Sequence, residues 1–178
     1  MIQPTAIDGL FTVQRKVHAD HRGFFYEIAQ LAELEQAAGR PIAFLQQNHA
    51  RSGKGVLRGL HAENWDKLVY VPHGRVFTAV ADIRPESPTF RRVATFTLGG
   101  LKPLALFVSS GLAHGYYVLS EEADYVYLVS AYYDGSDTRA VRWDDPDLAV
   151  PWPDRSPVIS DRDRTSPLLR DLIAGSSG

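Results

Sequence analysis

The sequence predicts a mainly β domain, built as a sandwich or a barrel. From residue 42 to about residue 141, short β-rich runs follow one another at regular spacing, which favours antiparallel sheets over alternating strands and helices. Turn-forming pairs separate the runs, among them His73-Gly74, Gly99-Gly100 and Asp134-Gly135. One run alternates between two faces, with Phe77, Ala79, Ala81 and Ile83 on one and Thr78 and Asp82 on the other.

Before this region the chain predicts a strand, a turn and one helix. Leu10–Val17 alternates weakly and indicates a strand, which the polar turn Asp20-His21-Arg22-Gly23 follows. Apolar residues recur with helical period over Ile28–Ala38, and Gly39 is a typical residue to end that helix.

Eight strands are predicted for the central region. They are Ile42–Gln47, Val56–His61, Lys67–Val71, Val76–Ile83, Arg92–Leu98, Leu104–Val108, Tyr116–Leu119 and Tyr125–Tyr133. After Trp143 an irregular, proline-rich segment is expected to wrap the β domain. Ser160 is typical of a residue that begins a helix. Ser166-Pro167 predicts a second N-cap leading into Leu168–Ile173.

Length and composition predict one ordinary globular domain over residues 1–174. The chain has 178 residues, and neither an internal repeat nor a linker divides it. Residues 175–178, Gly-Ser-Ser-Gly, have the composition of a flexible tail or a cloning remnant.

Charge and residue usage exclude several classes of function. A net charge of -2 without a basic block argues against nucleic-acid binding. The absence of cysteine excludes disulfides and thiolate metal sites. No apolar run is long enough to span a membrane, and the first residues lack a signal-peptide pattern, so a cytoplasmic protein without membrane or nucleic-acid partners is expected.

The segment from Gly55 to Lys67 is the first candidate site. It is otherwise composed like a strand, yet it carries Arg58, His61, Glu63 and Lys67 close together. A buried strand has no structural need for two cations, an imidazole and a carboxylate at this density, so chemistry is expected here.

Two spacings in the chain resemble the paired motifs of the cupin superfamily, whose fold is a double-stranded β-helix or jelly roll. The first comprises His61, Glu63, Lys67 and Gly74, and the second comprises Ser109, Gly111 and His114. In a metal-binding cupin the position of Lys67 holds a glutamate. An ammonium group at a ligand position repels a divalent cation, so no metal and no other cofactor is expected.

A longer, ordered set of motifs makes the resemblance specific. It comprises Asp20-x-Arg22-Gly23-x-Phe25-x-Glu27, Phe44-x-Gln46-x-Asn48, Arg58-Gly59-Leu60-His61, Lys67-Leu68-Val69, Asp82-Ile83-Arg84, Ser87-Pro88-Thr89-Phe90, Gly111-x-Ala113-His114-Gly115, Tyr132-Tyr133, Trp143-x-Asp145-Pro146 and Trp152-Pro153. Together these residues are similar to the dTDP-4-dehydrorhamnose 3,5-epimerase family, from about residue 7 to residue 170.

The resemblance implies a cupin-type jelly roll with short helices after the N-terminal strands and at the C-terminus. It also implies a cofactor-free isomerase that epimerises a dTDP-linked 4-keto-6-deoxyhexose at C3, C5 or both, in deoxysugar biosynthesis of the dTDP-L-rhamnose kind. Members of the family are homodimers in which an N-terminal strand pairs with the partner's sheet. The strand over Leu10–Val17 is the candidate for that pairing.

The resemblance assigns roles to five residues that fit enolate chemistry. His61 is the base, and Asp163 holds its imidazole. Lys67 stabilises the enolate oxygen, Tyr127 is the acid, and His114 hydrogen-bonds or stabilises charge in the same cavity. Each also has a structural interpretation: a strand histidine, a helix-start aspartate, a lysine paired with Asp66 or Glu63, a core tyrosine and a buried histidine bonded to backbone.

Substrate binding is assigned to a second set of residues: Arg22, Phe25, Glu27, Gln46, Asn48, Arg58 and Tyr133. The guanidinium groups suit the diphosphate, the polar side chains suit base, ribose or phosphate, and Tyr133 suits stacking on thymine. Tyr127 and Tyr133 share one face if their strand is regular.

Arg58 poses a geometric problem, because a regular strand points it away from His61. Either the strand bulges at Gly59, or Arg58 serves the site of a neighbouring subunit.

Other functions stay open on the sequence. They are a 3,4-ketoisomerase on the same kind of substrate, a non-catalytic cupin that binds sugar nucleotides, and a metal-dependent cupin oxygenase or phosphosugar isomerase. The short segment 62–67 and Ser109 depart from the family pattern, and they leave open which carbons are inverted.

Overall fold

Two antiparallel sheets packed face to face form the framework of the chain. The computed structural model describes residues 1–100, 103–135 and 139–175. Its strands are β1 (Ile2–Pro4), β2 (Leu10–Gln14), β3 (His18–Asp20), β4 (Gly23–Phe25), β5 (Gln46–Gly53), β6 (Leu57–His61), β7 (Lys67–His73), β8 (Arg75–Asp82), β9 (Val93–Gly99), β10 (Leu104–Val108), β11 (Leu112–Val118) and β12 (Glu122–Val129). The helices are α1 (Leu31–Ala38), α2 (Asp161–Arg164) and α3 (Leu169–Gly175).

The strand order confirms the predicted jelly roll. The larger sheet runs β1-β2-β10-β7-β12-β5, and the smaller runs β6-β11-β8-β9, while β3 and β4 form a separate hairpin. From β5 to β8, and again from β9 to β12, consecutive strands alternate between the two sheets. This alternation is the double-stranded arrangement of a jelly roll.

Apolar side chains fill the space between the sheets and cover both outer faces. The inner layer includes Val69 and Leu106 from the larger sheet and Val80 and Val118 from the smaller. Helix α1 covers the outside of the larger sheet, where Leu34 packs with the apolar residues of β2, β7 and β10. Apolar contact of this extent holds the two sheets at a fixed separation, so side chains that point between them have defined positions.

Strand β8 is buried on both faces. Phe77, Ala79, Ala81 and Ile83 lie together on the outer face, as the alternation predicts. The C-terminal segment covers that face with Leu148, Trp152 and Leu169, so the predicted wrapping of the β domain is confirmed.

Three strands of the central region are predicted with wrong boundaries, among them Tyr116–Leu119, whose strand is β11 and begins earlier, at Leu112. Residues 41–45 are not a strand, and the strand in this region is β5, whose sequence Gln-Gln-Asn-His-Ala-Arg-Ser-Gly has almost no apolar character. Pairing with β12 along its whole length holds β5 extended, which local preference does not indicate. The last predicted strand begins earlier, at Glu122, and ends at Val129 instead of Tyr133.

The N-terminal strand is shorter than predicted and lies inside the sheet. β2 ends at Gln14, and it pairs with β1 on one side and β10 on the other. It therefore has no free edge to offer a partner's sheet, contrary to the expectation for Leu10–Val17. The edge strands of the larger sheet are β1 and β5.

Two of the three helix ends predicted from local sequence are confirmed, those at Gly39 and Ser160. Gly39 closes α1 in the left-handed conformation at φ 69°, and its N–H donates to the carbonyl of Glu35. The Ser160 hydroxyl accepts from the N–H of Asp163 and caps α2. Ser166 does not cap α3: its hydroxyl donates to the Arg162 carbonyl.

At α3 the buried Asp145 carboxylate takes the capping position, accepting from the N–H of Leu169.

Gly175 belongs to α3, whereas the predicted tail residues 176–178 lie outside the described residues. Among the helices of the described ranges, none is both long and apolar enough to cross a membrane.

Candidate active site

A cavity of about 150 Å³ lies between the two sheets and gathers four of the five residues assigned to catalysis, together with Arg58 and Glu63. The smaller sheet contributes Arg58, His61 and His114, and the larger sheet contributes Lys67 and Tyr127. The full lining is Ala50, Arg58, His61, Glu63, Lys67, His114, Gly115, Tyr116, Tyr125 and Tyr127.

An irregular register in β6 lets Arg58 and His61 line the same cavity. His61 pairs with His114 and Arg58 pairs with Tyr116, so three residue steps on β6 match two on β11. The extra residue shifts the alternation of side chains by one, which turns both groups towards the cavity. The bulge that the sequence requires for a shared ligand is therefore present.

Gly59 is needed at this bulge. It has φ 124°, a region that residues with a Cβ rarely adopt. A Cβ at this position would lie 2.6 Å from the Cα of Gly115 on β11, so the two strands approach closely through their glycines. The Gly59 N–H donates to Asp163 Oδ2 at 3.1 Å, which connects the bulge to the C-terminal segment.

His61 and Asp163 are hydrogen-bonded to each other at the edge of the cavity. The distance from His61 Nε2 to Asp163 Oδ1 is 2.7 Å. Burial raises the pKa of the Asp163 carboxyl, but the hydrogen bonds from His61 and from the Gly59 N–H outweigh this effect, and the net pKa is lowered. Asp163 is thus an anion, and it orients the imidazole of His61 through the hydrogen bond to Nε2.

Lys67 lies in the cavity paired with Glu63. Its Nζ is 2.5 Å from Glu63 Oε2, and both side chains are largely buried. Asp66, the other carboxylate considered for Lys67, binds Arg40 instead through two hydrogen bonds. In the part of the chain that the structure describes, no group of three or more histidine, aspartate and glutamate side chains is arranged to hold a metal ion.

His114 is buried beside the cavity and is hydrogen-bonded to a side chain, not to the backbone. Its Nε2 is 2.7 Å from the hydroxyl oxygen of Tyr125. Burial, followed by the charges of Lys67 and His61, holds the pKa of His114 well below its usual range. His114 is therefore a neutral imidazole at neutral pH.

Tyr127 faces the cavity from β12, on the wall opposite His61. Burial raises its pKa, and the nearby Glu63 carboxylate raises it further. The phenol keeps its proton at neutral pH and is available as a proton donor.

Gln46 and Asn48 lie on the inward face of β5 next to this wall. Asn48 pairs directly with Tyr127 across the two strands, and Gln46 donates from Nε2 to Asn48 Oδ1 at 2.7 Å. Further along β5, Ser52 accepts a hydrogen bond from Arg58 Nε at 3.1 Å. The row of inward side chains thus extends from Gln46 to the guanidinium of Arg58.

Tyr133 is not on the strand of Tyr127 and does not line the cavity. Because β12 ends at Val129, the predicted alternation does not reach it. Its N–H donates to Gln46 Oε1, and its half-exposed ring meets Trp65 edge-on with centroids 6.4 Å apart. Tyr133 therefore lies near the Gln46 end of the row.

The structure does not bring Arg22, Phe25 and Glu27 to the cavity. Arg22 and Phe25 belong to the β3–β4 hairpin, where Arg22 binds Asp20 and Phe25 is 67% exposed. The exposed Glu27 accepts from Gln30 Nε2 just after the hairpin. A hairpin that presents aromatic rings to solvent is typical of a surface that contacts another molecule.

Three residues with polar side chains line the cavity but received no role from the sequence. Glu63 is expected as an altered metal-ligand position or as a partner of Lys67, and Tyr116 and Tyr125 are typical of core residues in strands. The alternation of Tyr125 with Tyr127 on β12 is the signal that could have placed Tyr125 in the cavity. The pairing of β11 with β6 that brings in Tyr116 has no local signal.

Comparison with known proteins gives consistent similarities over nearly the whole chain. The family model for dTDP-4-dehydrorhamnose 3,5-epimerases matches residues 4–171. The dTDP-4-dehydrorhamnose 3,5-epimerase of Shigella flexneri is 39% identical over 163 residues, which cover 89% of this chain and 90% of that protein.

Solved structures agree with the sequence similarity. NovW, a 4-keto-6-deoxy sugar epimerase from the novobiocin biosynthetic gene cluster of Streptomyces spheroides, has a TM-score of 0.95 and 32% identity, covering 99% of this chain and 90% of its own. The dTDP-6-deoxy-D-glucose-3,5-epimerase of Legionella pneumophila, in complex with dTDP-4-keto-L-rhamnose, has a TM-score of 0.91 and 38% identity, covering 98% and 95%.

Proposed function

Because the chain belongs to the dTDP-4-dehydrorhamnose 3,5-epimerase family, we propose that it epimerises a dTDP-linked 4-keto-6-deoxyhexose through an enolate. It is an isomerase of deoxysugar biosynthesis, and it inverts C3, C5 or both. The observation that carries the proposal is the position of a histidine–aspartate pair and a protonated phenol on opposite walls of one cavity.

Proton removal is the task of His61. A hydrogen on the carbon beside a ketone is acidic because the resulting anion delocalises onto the carbonyl oxygen. Asp163 binds Nε2 of His61, so Nδ1 is the nitrogen that takes the proton from the sugar. The Asp163 carboxylate then stabilises the imidazolium that forms.

The enolate oxygen is stabilised by the ammonium of Lys67. This cation is held in the cavity by Glu63, and a ketone oxygen near it becomes more negative as the proton leaves. The interaction is therefore stronger in the transition state than with the bound ketone, which is what lowers the barrier.

Inversion requires that the new proton arrive from the face opposite the base. Tyr127 lies on the larger sheet and His61 on the smaller, so a sugar ring held between the sheets has one group on each side. Tyr127 gives its proton to the carbanion carbon, and the product keeps its ketone at C4.

The dTDP portion is bound along the row from Arg58 to Gln46. The guanidinium of Arg58 suits the diphosphate, and Gln46 and Asn48 offer hydrogen bonds to ribose or base. Tyr133, at the Gln46 end of that row, stacks on thymine.

A second copy of the chain supplies Arg22, Phe25 and Glu27. These residues lie away from the cavity of their own chain, on and just after an exposed hairpin with two aromatic rings. In a two-fold dimer each hairpin reaches the site of the partner, so both sites are completed by the same contact. The enzyme is then a homodimer with shared sites.

The reaction needs no metal ion. Lys67 stands where a metal-binding cupin has a ligand, and Glu63, a potential ligand, is already occupied by that lysine. Activity that survives exhaustive dialysis against EDTA supports this part of the proposal, and activity that returns only with added metal contradicts it.

The decisive experiment distinguishes epimerisation from ketone migration. The enzyme is incubated with a dTDP-4-keto-6-deoxyhexose in deuterated water, and the product is examined by NMR. Deuterium at C3 or C5, inverted configuration and a ketone still at C4 are expected. A 3-keto product would establish a ketoisomerase, and a sugar that binds without exchange would establish a binding protein.

A further inference from the structure

Tyr125 is a buried cavity residue that the proposed reaction does not use. It is 1% exposed, and its ring stacks on that of Tyr116 with centroids 3.9 Å apart and planes 4° apart. Its hydroxyl oxygen is 2.7 Å from Nε2 of His114. A buried tyrosine, unlike a buried phenylalanine, has a hydroxyl that needs a hydrogen-bond partner. Here that partner is a histidine of the cavity.

We infer that Tyr125 is a positioning residue, which holds His114 as the neutral tautomer with its proton on Nδ1. His114 then presents an N–H donor to the sugar, beside the ammonium of Lys67. This inference deepens the proposed function. The role of the His114 N–H in the reaction rests on that function.

The direction of the Tyr125–His114 hydrogen bond follows from the partners of the phenol. Burial raises the pKa of Tyr125, so its single proton stays in place. Among the described residues, His114 Nε2 is the hydrogen-bond partner of that hydroxyl, at 2.7 Å, so we assign the phenol proton to this bond. Thr78 also lies near the phenol and lowers its pKa, but the Thr78 hydroxyl oxygen has no hydrogen-bond partner within the described part of the chain.

The charge state of His114 then fixes the position of its own proton. Burial and the charges of Lys67 and His61 keep the ring neutral, so it carries one proton. Because Nε2 accepts from Tyr125, that proton is on Nδ1. Nδ1 is thus the ring nitrogen that carries the proton, in a histidine that lines the cavity.

A protonated Nδ1 gives His114 a defined chemical role. It cannot take a proton from carbon, so the base of the site is His61 alone. It can donate to an oxygen that gains negative charge, and with Lys67 it forms a pair of donors for the enolate. Tyr125 acts on the reaction through His114 without touching the substrate oxygen itself.

The test reads the tautomer of His114 directly. Long-range ¹H–¹⁵N correlation spectra of the ¹⁵N-labelled full chain distinguish protonated from unprotonated ring nitrogens, and His114→Gln identifies the signals of His114. In the wild type, a protonated Nδ1 and an unprotonated Nε2 are expected. In Tyr125→Phe the donor is lost, so the proton moves wholly or partly to Nε2, and kcat falls about tenfold with a smaller change in KM.

Tyr116→Phe is the matched control, since it removes the hydroxyl of the stacked partner ring and leaves the Tyr125–His114 bond. It should leave the His114 signals unchanged. An Nε2–H or doubly protonated His114 in the wild type would overturn the inference, and so would a Tyr125→Phe spectrum identical to that of the wild type. A shifted tautomer with unchanged kcat would overturn the role in positioning.

The wild-type spectrum decides the tautomer even if Tyr125→Phe does not fold. It is recorded without substrate, so it is also independent of the proposed reaction. A chain with an Nδ1–H His114 and no epimerase activity would contradict the proposed function and leave the tautomer assignment standing.

Discussion

His61 and Asp163 are 102 residues apart in the sequence, and their side chains meet with 2.7 Å between Nε2 and Oδ1. Asp163 belongs to the short helix α2, and its second carboxylate oxygen accepts from the Gly59 N–H. The C-terminal segment must therefore be docked on the smaller sheet before the proposed base is complete.

Tyr127→Phe should separate proton exchange from inversion. The variant keeps the ring in place but removes the proposed donor, so His61 can still take and return a proton on one face. Deuterium exchange at the sugar should persist at a substantial rate, while net inversion falls by about 10²–10⁴-fold. NMR of the same reaction mixture measures both rates, and equal loss of the two would assign Tyr127 another task.

Gly59→Ala should disable the site by displacing β6 from β11. The added Cβ meets the Gly115 backbone at 2.6 Å, and the φ of 124° strains any other residue. The strain alone is of order 1–3 kcal/mol of unfolding free energy, and the movement separates Arg58 from His61. Both the stability and kcat/KM should fall.

Gly39→Ala is the matched control for this variant. Gly39 also has a positive φ, at 69°, but a Cβ there meets open space. It should lower the stability by a smaller strain term, because φ 69° lies in the left-handed region that residues with a Cβ can adopt, and it should not affect kcat. Equal activity loss in the two variants would mean that close approach at the bulge is not what the site requires.

Mixing two inactive variants should restore activity if the sites are shared. One variant is His61→Asn, and the other carries Arg22→Ala with Phe25→Ala. After exchange of subunits, each mixed dimer has one site with an intact cavity and an intact hairpin. Activity should rise to roughly a quarter of the wild-type level, because half of the dimers are mixed and half of their sites are complete.

Each variant alone, taken through the same exchange procedure, is the control for this experiment. Sedimentation of the wild type should give a dimer. A mixture that stays inactive although mixed dimers are detected would contradict the sharing of sites.

Asp82→Asn should reveal an acid-sensitive contribution to stability. Asp82 is fully buried; burial raises its pKa, but hydrogen bonds from Arg84, Ser87 and Thr89 dominate and lower it to about 2. Because the folded pKa lies below the unfolded value, the carboxylate stabilises the fold above about pH 4, and this contribution is lost as the pH falls to about 2. The variant should be about 2 kcal/mol less stable at pH 7.

Urea unfolding at a series of pH values measures this difference, which should shrink towards pH 2. Asp144→Asn, at an exposed pair with Arg142, should change the stability little at any pH. A wild-type to Asp82→Asn difference that is constant from pH 7 to pH 2 would contradict the assignment.

The sequence was sufficient for those parts of the fold and site that short motifs determine. The jelly roll, helix α1 with its Gly39 end, and the cavity positions of His61, Lys67, His114 and Tyr127 all follow from local patterns and the family resemblance. Even the bulge at Gly59 could be anticipated, since Arg58 and His61 can share a ligand only if the strand alternation shifts by one.

The features that local sequence does not indicate depend on contacts between distant segments. β5 has little apolar character, and pairing with β12 is what makes it a strand. The end of β12 at Val129 removes Tyr133 from the predicted face, and the separate hairpin keeps Arg22 and Phe25 away from the cavity. The Tyr125–His114 bond likewise follows from the packing of two sheets.

His61 is the proposed base, and solvent exchange by His61→Asn tests this role most directly. The variant is incubated with a dTDP-4-keto-6-deoxyhexose in deuterated water, alongside the wild type and His73→Asn, which alters a surface histidine. Binding of dTDP is measured by calorimetry for all three. We predict that His61→Asn binds dTDP within about threefold of the wild type and incorporates no deuterium at C3 or C5, since removal of a catalytic base eliminates proton abstraction. Deuterium incorporation at the wild-type rate in His61→Asn would contradict the account.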